Sequence, residues 1–208
     1  MKGIHGIIYD CDGVLFDSRR ANLAFYSQVL EHFGEPPLSD EHSASADLCH
    51  THASIEVFRI LLGEARVAEA QVYAETIDTG KLLALMTPEK GLPQVLELLA
   101  KKLLLALATN RGHSVRSILD HFQMRHFFKT VVTSQDVQRP KPSPDMLLLA
   151  VEGLGLRPEQ VLFVGDSELD RQAARHAGVR FVAYKGLVAG DLVIREHQDL
   201  VSLLRLSW

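Results

Sequence analysis

The sequence predicts an α/β protein, built as a doubly wound parallel sheet with an inserted α-helical cap domain. Three observations support this fold class. Short, predominantly apolar runs occur at residues 4–9, 103–108, 130–133, 161–164 and 179–184, as expected for buried parallel strands. Helical patterns separate most of these runs, which is typical of strand–helix alternation. One long segment, residues 18–85, contains several helical patterns and no convincing strand.

The strand at residues 4–9 leads directly into an acidic loop, and the predicted cap follows that loop. Within the cap, NLAFYSQVLEHFG, ASIEVFRILLG and EARVAEAQVYAETI repeat apolar residues three and four positions apart, as amphipathic helices do. The polar stretch EPPLSDEHSASAD separates the first two segments. The core domain is therefore predicted to comprise residues 1–17 and 86–208, and the cap domain residues 18–85.

Further helices are predicted between the core strands, at residues 92–102, 114–122, 143–154 and 170–177. The Ser-Pro pair that opens the third is a helix-start signal, and Gly178 is placed to end the fourth. The segment LAKKLLLALATN lacks a glycine between its helix and its strand, so the sequence does not fix that boundary.

The composition excludes several functional classes. The 208 residues carry a net charge of −4 with scattered Lys and Arg, which gives no basic surface for nucleic acid. The apolar run LLLALAT is too short to span a membrane, and the start of the chain lacks the pattern of a secretory signal. Cys11 and Cys49 indicate neither a disulfide framework nor a thiolate metal site. We expect a cytoplasmic protein, and an anionic small substrate remains compatible with the net charge.

The first chemically informative motif is DCDGV, at the end of the first strand. The Asp10 carboxylate is placed to attack a phosphorus atom as a nucleophile, and Asp12 to protonate the leaving oxygen and then deprotonate water. Gly13 leaves the backbone free to approach an oxyanion. The structural alternative is an acidic turn or a helix N-cap, which two aspartates near a glycine would favour if they stood alone.

Two further motifs follow later strands. In ATNRGHS, Thr109 and Asn110 end the second strand, where a hydroxyl and backbone N–H groups form a phosphate cradle. In RPKPSPD, Lys141 lies between prolines that restrict the backbone and so direct its ammonium group. Taken singly, the first is an ordinary helix N-cap and the second a solvated lysine.

A fourth motif, VLFVGDSELDRQAARHAG, places Asp166 after an apolar strand and Asp170 one helical turn later. Mg²⁺ prefers oxygen ligands, and one or two carboxylates opposite Asp10 are sufficient to bind it. A helix N-cap explains Ser167 to Asp170 equally well but leaves Asp166 unexplained. Because ligands bind beyond the carboxyl ends of parallel strands, all four motifs are predicted to meet.

In this combination and order, the motifs resemble those of the haloacid dehalogenase superfamily, and more closely its phosphoglycolate phosphatase-like members with a helical cap. DCDGVLFDS and VGDSELDRQAARHAG are specific for this superfamily, whereas TN and KP are weak signals alone and informative only in their positions. The resemblance covers nearly the whole chain. The ending DLVIREHQDLVSLL also resembles the last short strand and helix of this superfamily.

This resemblance implies a Mg²⁺-dependent phosphatase that hydrolyses a small phosphomonoester. Asp10 would form an aspartyl-phosphate, and Asp12 would be the general acid and base. Mg²⁺ would be bound by the Asp10 carboxylate, the Asp12 carbonyl and Asp166, with Asp170 as a further ligand or a support. The remaining implied roles are phosphoryl binding by Thr109, the Asn110 backbone and Lys141, which would also restrain Asp10.

Other activities of the superfamily fit less well. Its dehalogenases and phosphonatases lack an acid at the position of Asp12, and its phosphonatases use a cap lysine, whereas residues 19–80 contain none. A sugar phosphomutase of the β-phosphoglucomutase type is the alternative, because it shares all the core residues; the missing cap lysine argues against it. A catalytically silent binding module would be expected to have lost a core acid or the lysine.

Selectivity for the leaving group is expected in the cap, in the stretch HSASADLCHTH. It contains His42, His50 and His52, and Arg19 and Arg20 lie beside the first hinge. Each histidine alone is interpreted as a solvated loop side chain, and only the stretch as a group is predicted to contact the substrate. The sequence identifies no substrate beyond a small phosphorylated metabolite, and either a monomer or a homodimer is expected.

Overall fold

A computed structural model describes residues 3–39 and 43–206 of the chain. Its strands are β1 (Gly6–Tyr9), β2 (Phe16–Asp17), β3 (Thr87–Pro88), β4 (Leu104–Thr109), β5 (Thr130–Thr133), β6 (Val161–Gly165), β7 (Arg180–Tyr184) and β8 (Leu192–Ile194). Its α-helices are α1 (Arg19–His32), α2 (Ala44–Thr51), α3 (Ser54–Leu62), α4 (Val67–Thr76), α5 (Thr79–Leu83), α6 (Leu92–Ala100), α7 (Ser114–His121), α8 (Asp145–Leu154), α9 (Glu168–Ala177) and α10 (Gln198–Leu204).

Six of the strands form one parallel sheet in the order β5–β4–β1–β6–β7–β8. The predicted fold class is confirmed, and each of the five predicted strands is present with ends shifted by at most two residues. The sixth strand, β8, and the helix α10 come from the ending of the chain, where the family resemblance indicates them. From β1 the chain adds β4 and then β5 on one side of the sheet, and from β6 it adds β7 and then β8 on the other side. The direction of winding therefore reverses between β1 and β6.

Helices cover both faces of the sheet, because side chains alternate between the faces along each strand. In β1, Ile7 and Tyr9 belong to one buried cluster, which includes apolar side chains of α6, α7 and α10. Ile8, between them, belongs to the other cluster, formed with α8 and α9. The strands at the centre are therefore buried on both sides, as their uninterrupted apolar sequences require.

Helices α1–α5 lie between β2 and β3 in the chain and have an apolar cluster of their own, which includes Tyr26, Val57 and Phe58. The short antiparallel pair of β2 and β3 joins the two ends of this helical segment. The second half of the polar stretch is not a loop, because α2 begins at Ala44 behind the N-cap Ser43. Asp40, Glu41 and His42 lie outside the described residues.

The segment LAKKLLLALATN, which lacks a glycine, passes from helix to strand through three residues. Helix α6 ends at Ala100, and the backbone N–H groups of Lys102 and Leu103 donate to the carbonyl of Leu99 before β4 begins. Within the part of the chain that the structure describes, no helix has the length and apolar character that a membrane crossing needs.

Candidate active site

The site lies at the carboxyl ends of the three central strands. Tyr9, the last residue of β1, pairs with Leu107 of β4 and with Val164 of β6, so these strands end at nearly the same level. Asp10 comes directly after β1, Asp166 comes directly after β6, and Thr109 is the last residue of β4. This is where the winding of the sheet reverses, the usual ligand position in a doubly wound sheet. The structure therefore brings together the polar residues that the sequence predicted to meet.

Lys141 is the central cation of this cluster. Its ammonium donates hydrogen bonds to Oδ1 of Asp10 at 2.7 Å, to Oδ1 of Asp170 at 2.6 Å and to the carbonyl oxygen of Ala108 at 3.2 Å. All three N–H donors are thus used, and the side chain is 2% exposed. Burial lowers the pKa of Lys141, but the Asp10 and Asp170 carboxylates outweigh this effect and raise it above its usual value. Lys141 is therefore a fixed positive charge rather than a solvated side chain.

Three carboxylates crowd around this charge. Oxygen atoms of Asp10, Asp166 and Asp170 lie within 4.8 Å of one another. Burial, followed by the carboxylates of Asp170 and Asp10, raises the pKa of Asp166 well above its usual value. Burial likewise raises the pKa of Asp10 to about 7, although Lys141 opposes this rise. A hard divalent cation would relieve both the burial and the repulsion, so this oxygen-only set fits Mg²⁺.

Asp170 is the most heavily hydrogen-bonded of the three. Its Oδ2 accepts from the backbone N–H groups of Asp166 and Ser167 and from the Ser167 hydroxyl, while Oδ1 accepts from Lys141. These contacts make Asp170 the capping partner at the start of α9. The helix N-cap predicted for this segment is therefore present, and the same carboxylate contacts the backbone N–H of Asp166 and the ammonium of Lys141.

Two glycines leave the space that these carboxylates occupy. A methyl group at Gly13 would overlap the Asp166 carboxylate, and one at Gly165 would lie 2.6 Å from Cβ of Asp170. Gly13 also has a φ of +76°, a left-handed conformation that other residues adopt only with strain. Gly13 therefore lets the first loop approach the acidic cluster closely.

Asp12 faces a different partner, Arg111, which was not among the predicted site residues. Nη2 of Arg111 donates to Oδ1 of Asp12 at 2.6 Å, and Nε donates to Oδ2 at 3.1 Å. Although burial alone would raise it, Arg111 holds the pKa of Asp12 below its usual range. The signal that could have indicated Arg111 is its place directly after Thr109 and Asn110, at a predicted strand end.

Thr109 and Asn110 connect the site to its surroundings. The Thr109 hydroxyl accepts from the backbone N–H of Arg111 at 3.1 Å. The Asn110 amide donates to the carbonyl oxygens of Thr51 at 2.9 Å and Lys141 at 3.1 Å, and its oxygen accepts from the Lys141 N–H at 3.0 Å. The Asn110 side chain therefore holds the Lys141 loop and joins the core to the end of α2.

Several side chains of the helical segment reach the same site. Ser18 donates to Oδ1 of Asp12, Nδ2 of Asn22 lies 3.2 Å from that oxygen, and Arg111 donates through Nη2 to Oδ1 of Asn22. Ser18 and Asn22 are four positions apart at the start of α1, a spacing that places them on one helix face. This spacing is the sequence signal that could have indicated both residues.

Interpreting His50 as a solvated loop residue was wrong. It lies on α2, and its Nδ1 is 3.2 Å from Nδ2 of Asn22. Burial lowers its pKa, although Asp12 opposes this. His52 is half-buried, and its Nδ1 lies 2.8 Å from the Thr51 hydroxyl. Arg19 forms an ion pair with the exposed Asp47 at 2.8 Å.

A cavity of about 430 Å³ opens between the sheet end and the helical segment. Its polar lining includes Asp10, Asp12, Asn22, His50, Thr109 and Arg111. Phe25, Tyr26, Phe58 and Ile77 line the helical side. A volume of this size suits a small polar ligand.

Comparison with known proteins agrees with this geometry. The sequence model of the family described as haloacid dehalogenase-like hydrolase matches residues 7–184. The chain belongs to the haloacid dehalogenase-like hydrolase family.

Named relatives of this family match along nearly the whole chain. The phosphoglycolate phosphatase of Salmonella typhi is 31% identical over 97% of this chain and 89% of its own length. That of Escherichia coli O157:H7 is 32% identical over 96% and 89%, respectively. The prediction of a haloacid dehalogenase-like phosphatase is thereby confirmed.

Solved structures of other proteins have the same fold. A subfamily IA hydrolase from Geobacter sulfurreducens is 38% identical and superposes with a TM-score of 0.83 over 96% of this chain and 99% of that one. CbbY from Rhodobacter sphaeroides, solved with phosphate, is 21% identical, with a TM-score of 0.79 over 95% and 96%, and shows the fold alone.

Proposed function

We propose that the protein is a Mg²⁺-dependent phosphatase that hydrolyses a small phosphomonoester through an aspartyl-phosphate on Asp10. One observation carries this proposal: Lys141, with no free donor, holds Asp10 at the reversal point of the sheet, beside Asp12 and Asp166. A carboxylate fixed in this way has one oxygen bound by the lysine and the other available as a nucleophile.

The acidic cluster supports Mg²⁺ as the cofactor. The proposed ligands are the carboxylates of Asp10 and Asp166 and the backbone carbonyl of Asp12. The four hydrogen bonds that Asp170 accepts favour a supporting role for it, because few of its lone pairs remain. When bound, Mg²⁺ withdraws charge from the phosphoryl oxygens.

The proposed reaction has two halves. First, the negative charge of the bound phosphate favours uptake of a proton by Asp12, against the effect of Arg111 on its pKa. An oxygen of Asp10 then forms a bond to phosphorus, the bond from phosphorus to the leaving oxygen breaks, and Asp12 gives that oxygen the proton. Second, Asp12 takes a proton from water, whose oxygen attacks phosphorus and releases Asp10 and inorganic phosphate. Thr109, the Asn110 backbone and Gly13 are proposed to surround the phosphoryl oxygens, and Lys141 to neutralise part of their charge while it stays bound to Asp10 and Asp170. Positioning and charge neutralisation supply most of the catalysis in phosphoryl transfer.

We propose that residues 18–85 form the cap that closes this site, with residues 1–17 and 86–208 as the core. The bond from the Asn110 amide to the Thr51 carbonyl and the contact of Arg111 with Asn22 hold the two parts together above the cavity. A closed cap excludes bulk water from the phosphoryl group.

The named relatives suggest 2-phosphoglycolate as the first substrate to test. A sugar phosphomutase remains the alternative activity, and the helical segment does contain one lysine, Lys81 on α5. Lys81 is exposed and is absent from the lining of the cavity, so it supports neither a mutase nor a phosphonatase.

The test is a panel of phosphomonoesters assayed for released phosphate, with Mg²⁺ and with a chelator. We expect turnover only with the metal, and a loss of about a thousandfold or more in Asp10→Asn with its fold intact. Asp17→Asn removes an exposed acid nearby and should leave the rates unchanged. Near-normal turnover by Asp10→Asn would refute the nucleophile, and conversion of sugar 1-phosphates into 6-phosphates without free phosphate would favour the mutase.

A further inference from the structure

We propose that Arg111 selects the substrate, by binding a carboxylate that the leaving group carries one methylene away from the ester oxygen. This inference rests on the proposed phosphatase function and deepens it, because it assigns the substrate class to one side chain. The expected substrates are therefore phosphorylated 2-hydroxy acids rather than sugar or polyol phosphates.

Arg111 keeps part of its hydrogen-bonding capacity. Nε and Nη2 donate to Asp12, and Nη2 also donates to Asn22. Nη1 has no acceptor among the described residues, and its two N–H groups remain available to a ligand. The side chain is 17% exposed and lines the cavity, so an incoming carboxylate would bind it with little competition from water.

Arg111 is a positive charge in a cavity whose other charged lining residues are acidic. Arg111 is the only Arg or Lys among the described residues that line the cavity, whereas Asp10, Asp12 and Glu75 are acidic. Lys141 has all three N–H groups bound, to Asp10, Asp170 and the Ala108 carbonyl, whereas Nη1 of Arg111 has no acceptor among the described residues. A substrate with a carboxylate beside its phosphate would be repelled by these acids without a compensating cation, and Arg111 is the cation present.

The distances suit a short link between phosphate and carboxylate. Asp12 is the proposed proton donor to the leaving oxygen, which must then lie within hydrogen-bonding distance of it, about 3 Å. Arg111 Nη2 is 2.6 Å from the same carboxylate of Asp12. The leaving oxygen and the guanidinium are thus separated by roughly the width of one carboxylate, on the order of 3–6 Å. A carboxylate on the carbon next to the ester oxygen spans that interval.

The guanidinium is also held in place from the cap. Asn22, on α1, accepts from Nη2 of Arg111 and has His50 on its other side, with 3.2 Å between Nδ2 of Asn22 and Nδ1 of His50. A planar guanidinium fixed by Asp12 and Asn22 presents its remaining Nη1 N–H groups in one orientation, as charge-assisted hydrogen-bond donors to a carboxylate. A neutral hydroxymethyl group gains no comparable contact.

A purely positioning role for Arg111, in which it only orients Asp12, predicts different kinetics. Loss of the arginine would then slow all phosphomonoesters by the same factor. Carboxylate binding instead predicts a change in selectivity, because only substrates with a carboxylate lose a contact.

The experiment compares 2-phosphoglycolate with 2-hydroxyethyl phosphate, which replaces the carboxylate with a hydroxymethyl group. For the wild type we expect kcat/KM to be at least about 10-fold higher for 2-phosphoglycolate. In Arg111→Gln, we expect this preference to fall by about 10- to 100-fold. Arg116→Gln, a half-exposed arginine on α7, should keep the wild-type preference.

The outcomes separate this inference from the proposed function. No hydrolysis of either ester or of p-nitrophenyl phosphate by the wild type would overturn the function itself. Equal losses for both esters in Arg111→Gln would overturn the carboxylate role and leave the phosphatase intact. If Arg111→Gln does not fold, wild-type inhibition decides: 3-phosphonopropionate should bind at least about 10-fold more tightly than propylphosphonate, and equal binding would overturn the inference.

Discussion

Gly13 offers the sharpest test of how the first loop positions the acidic cluster. Alanine at this position meets two obstacles: a φ of +76° and overlap of its methyl group with the Asp166 carboxylate. Gly34 is a matched control, because its φ is +75° and no heavy atom lies within 4 Å of the position a methyl group would take. The two substitutions therefore share the backbone strain and differ only in the steric overlap.

The expected magnitudes follow from this difference. Left-handed backbone at a residue with a side chain costs about 1–2 kcal/mol, so Gly34→Ala should lose that much free energy of unfolding. Gly13→Ala should lose about 1–3 kcal/mol more, because Asp166 must move to admit the methyl group. Displacement of a proposed ligand should also raise the Mg²⁺ concentration for half-maximal activity by about 10- to 100-fold.

Two assays are needed to separate these effects. Urea unfolding without divalent cations gives the stability of both variants, and initial rates with p-nitrophenyl phosphate at increasing Mg²⁺ give the metal dependence. If Gly13→Ala and Gly34→Ala require the same Mg²⁺ concentration, then Asp166 and the first loop are not coupled in the way the structure indicates.

Two further predictions concern buried charges. Lys141→Met leaves the Asp10 and Asp170 carboxylates without their cation and should lower the free energy of unfolding by about 3–5 kcal/mol in the absence of Mg²⁺. The control is Lys101→Met, at an exposed lysine, which should change the free energy of unfolding by less than about 1 kcal/mol in the same urea titration. Burial lowers the pKa of His197 in the folded state to about 4. The stability that neutral His197 contributes is therefore complete above pH 6.5, and up to about 3 kcal/mol of the free energy of unfolding is lost as the pH falls toward 4. The bond of its Nε2 with the Val14 carbonyl at 2.8 Å and the Glu89 carboxylate act against this shift, and Lys185 adds to it. His197→Gln should be less stable at pH 7.5 but should lose less stability between pH 7.5 and 4.5; equal losses in both proteins would contradict the assignment.

The fold was predictable because its signals are local. Buried parallel strands must be apolar on both faces, and the five runs that meet this condition are the five longest strands of the sheet. The edge strand β8 has only three residues, of which Val193 is exposed, so its sequence carries little periodic signal. The resemblance to the family, rather than periodicity, indicated it.

The position of the site was also predictable, because polar residues at the ends of adjacent parallel strands must lie near one another. Asp10, Thr109 and Asp166 needed no more than this rule. Arg111 was harder to predict, since 99 positions separate it from Asp12 and an arginine after a strand end is usually solvated. His50 was missed for a related reason: its burial depends on where α2 packs against α1.

Local sequence patterns are enough to predict the order of strands and helices, the helical insertion, and the acids and the lysine at the strand ends, because each depends on neighbours a few residues away. Which charged side chains become partners depends on the folded chain. Lys141 with Asp10 and Asp170, and Arg111 with Asp12 and Asn22, are contacts between distant segments. Their geometry depends on strand register and on the docking of the helical segment, and no local pattern in the chain encodes either one.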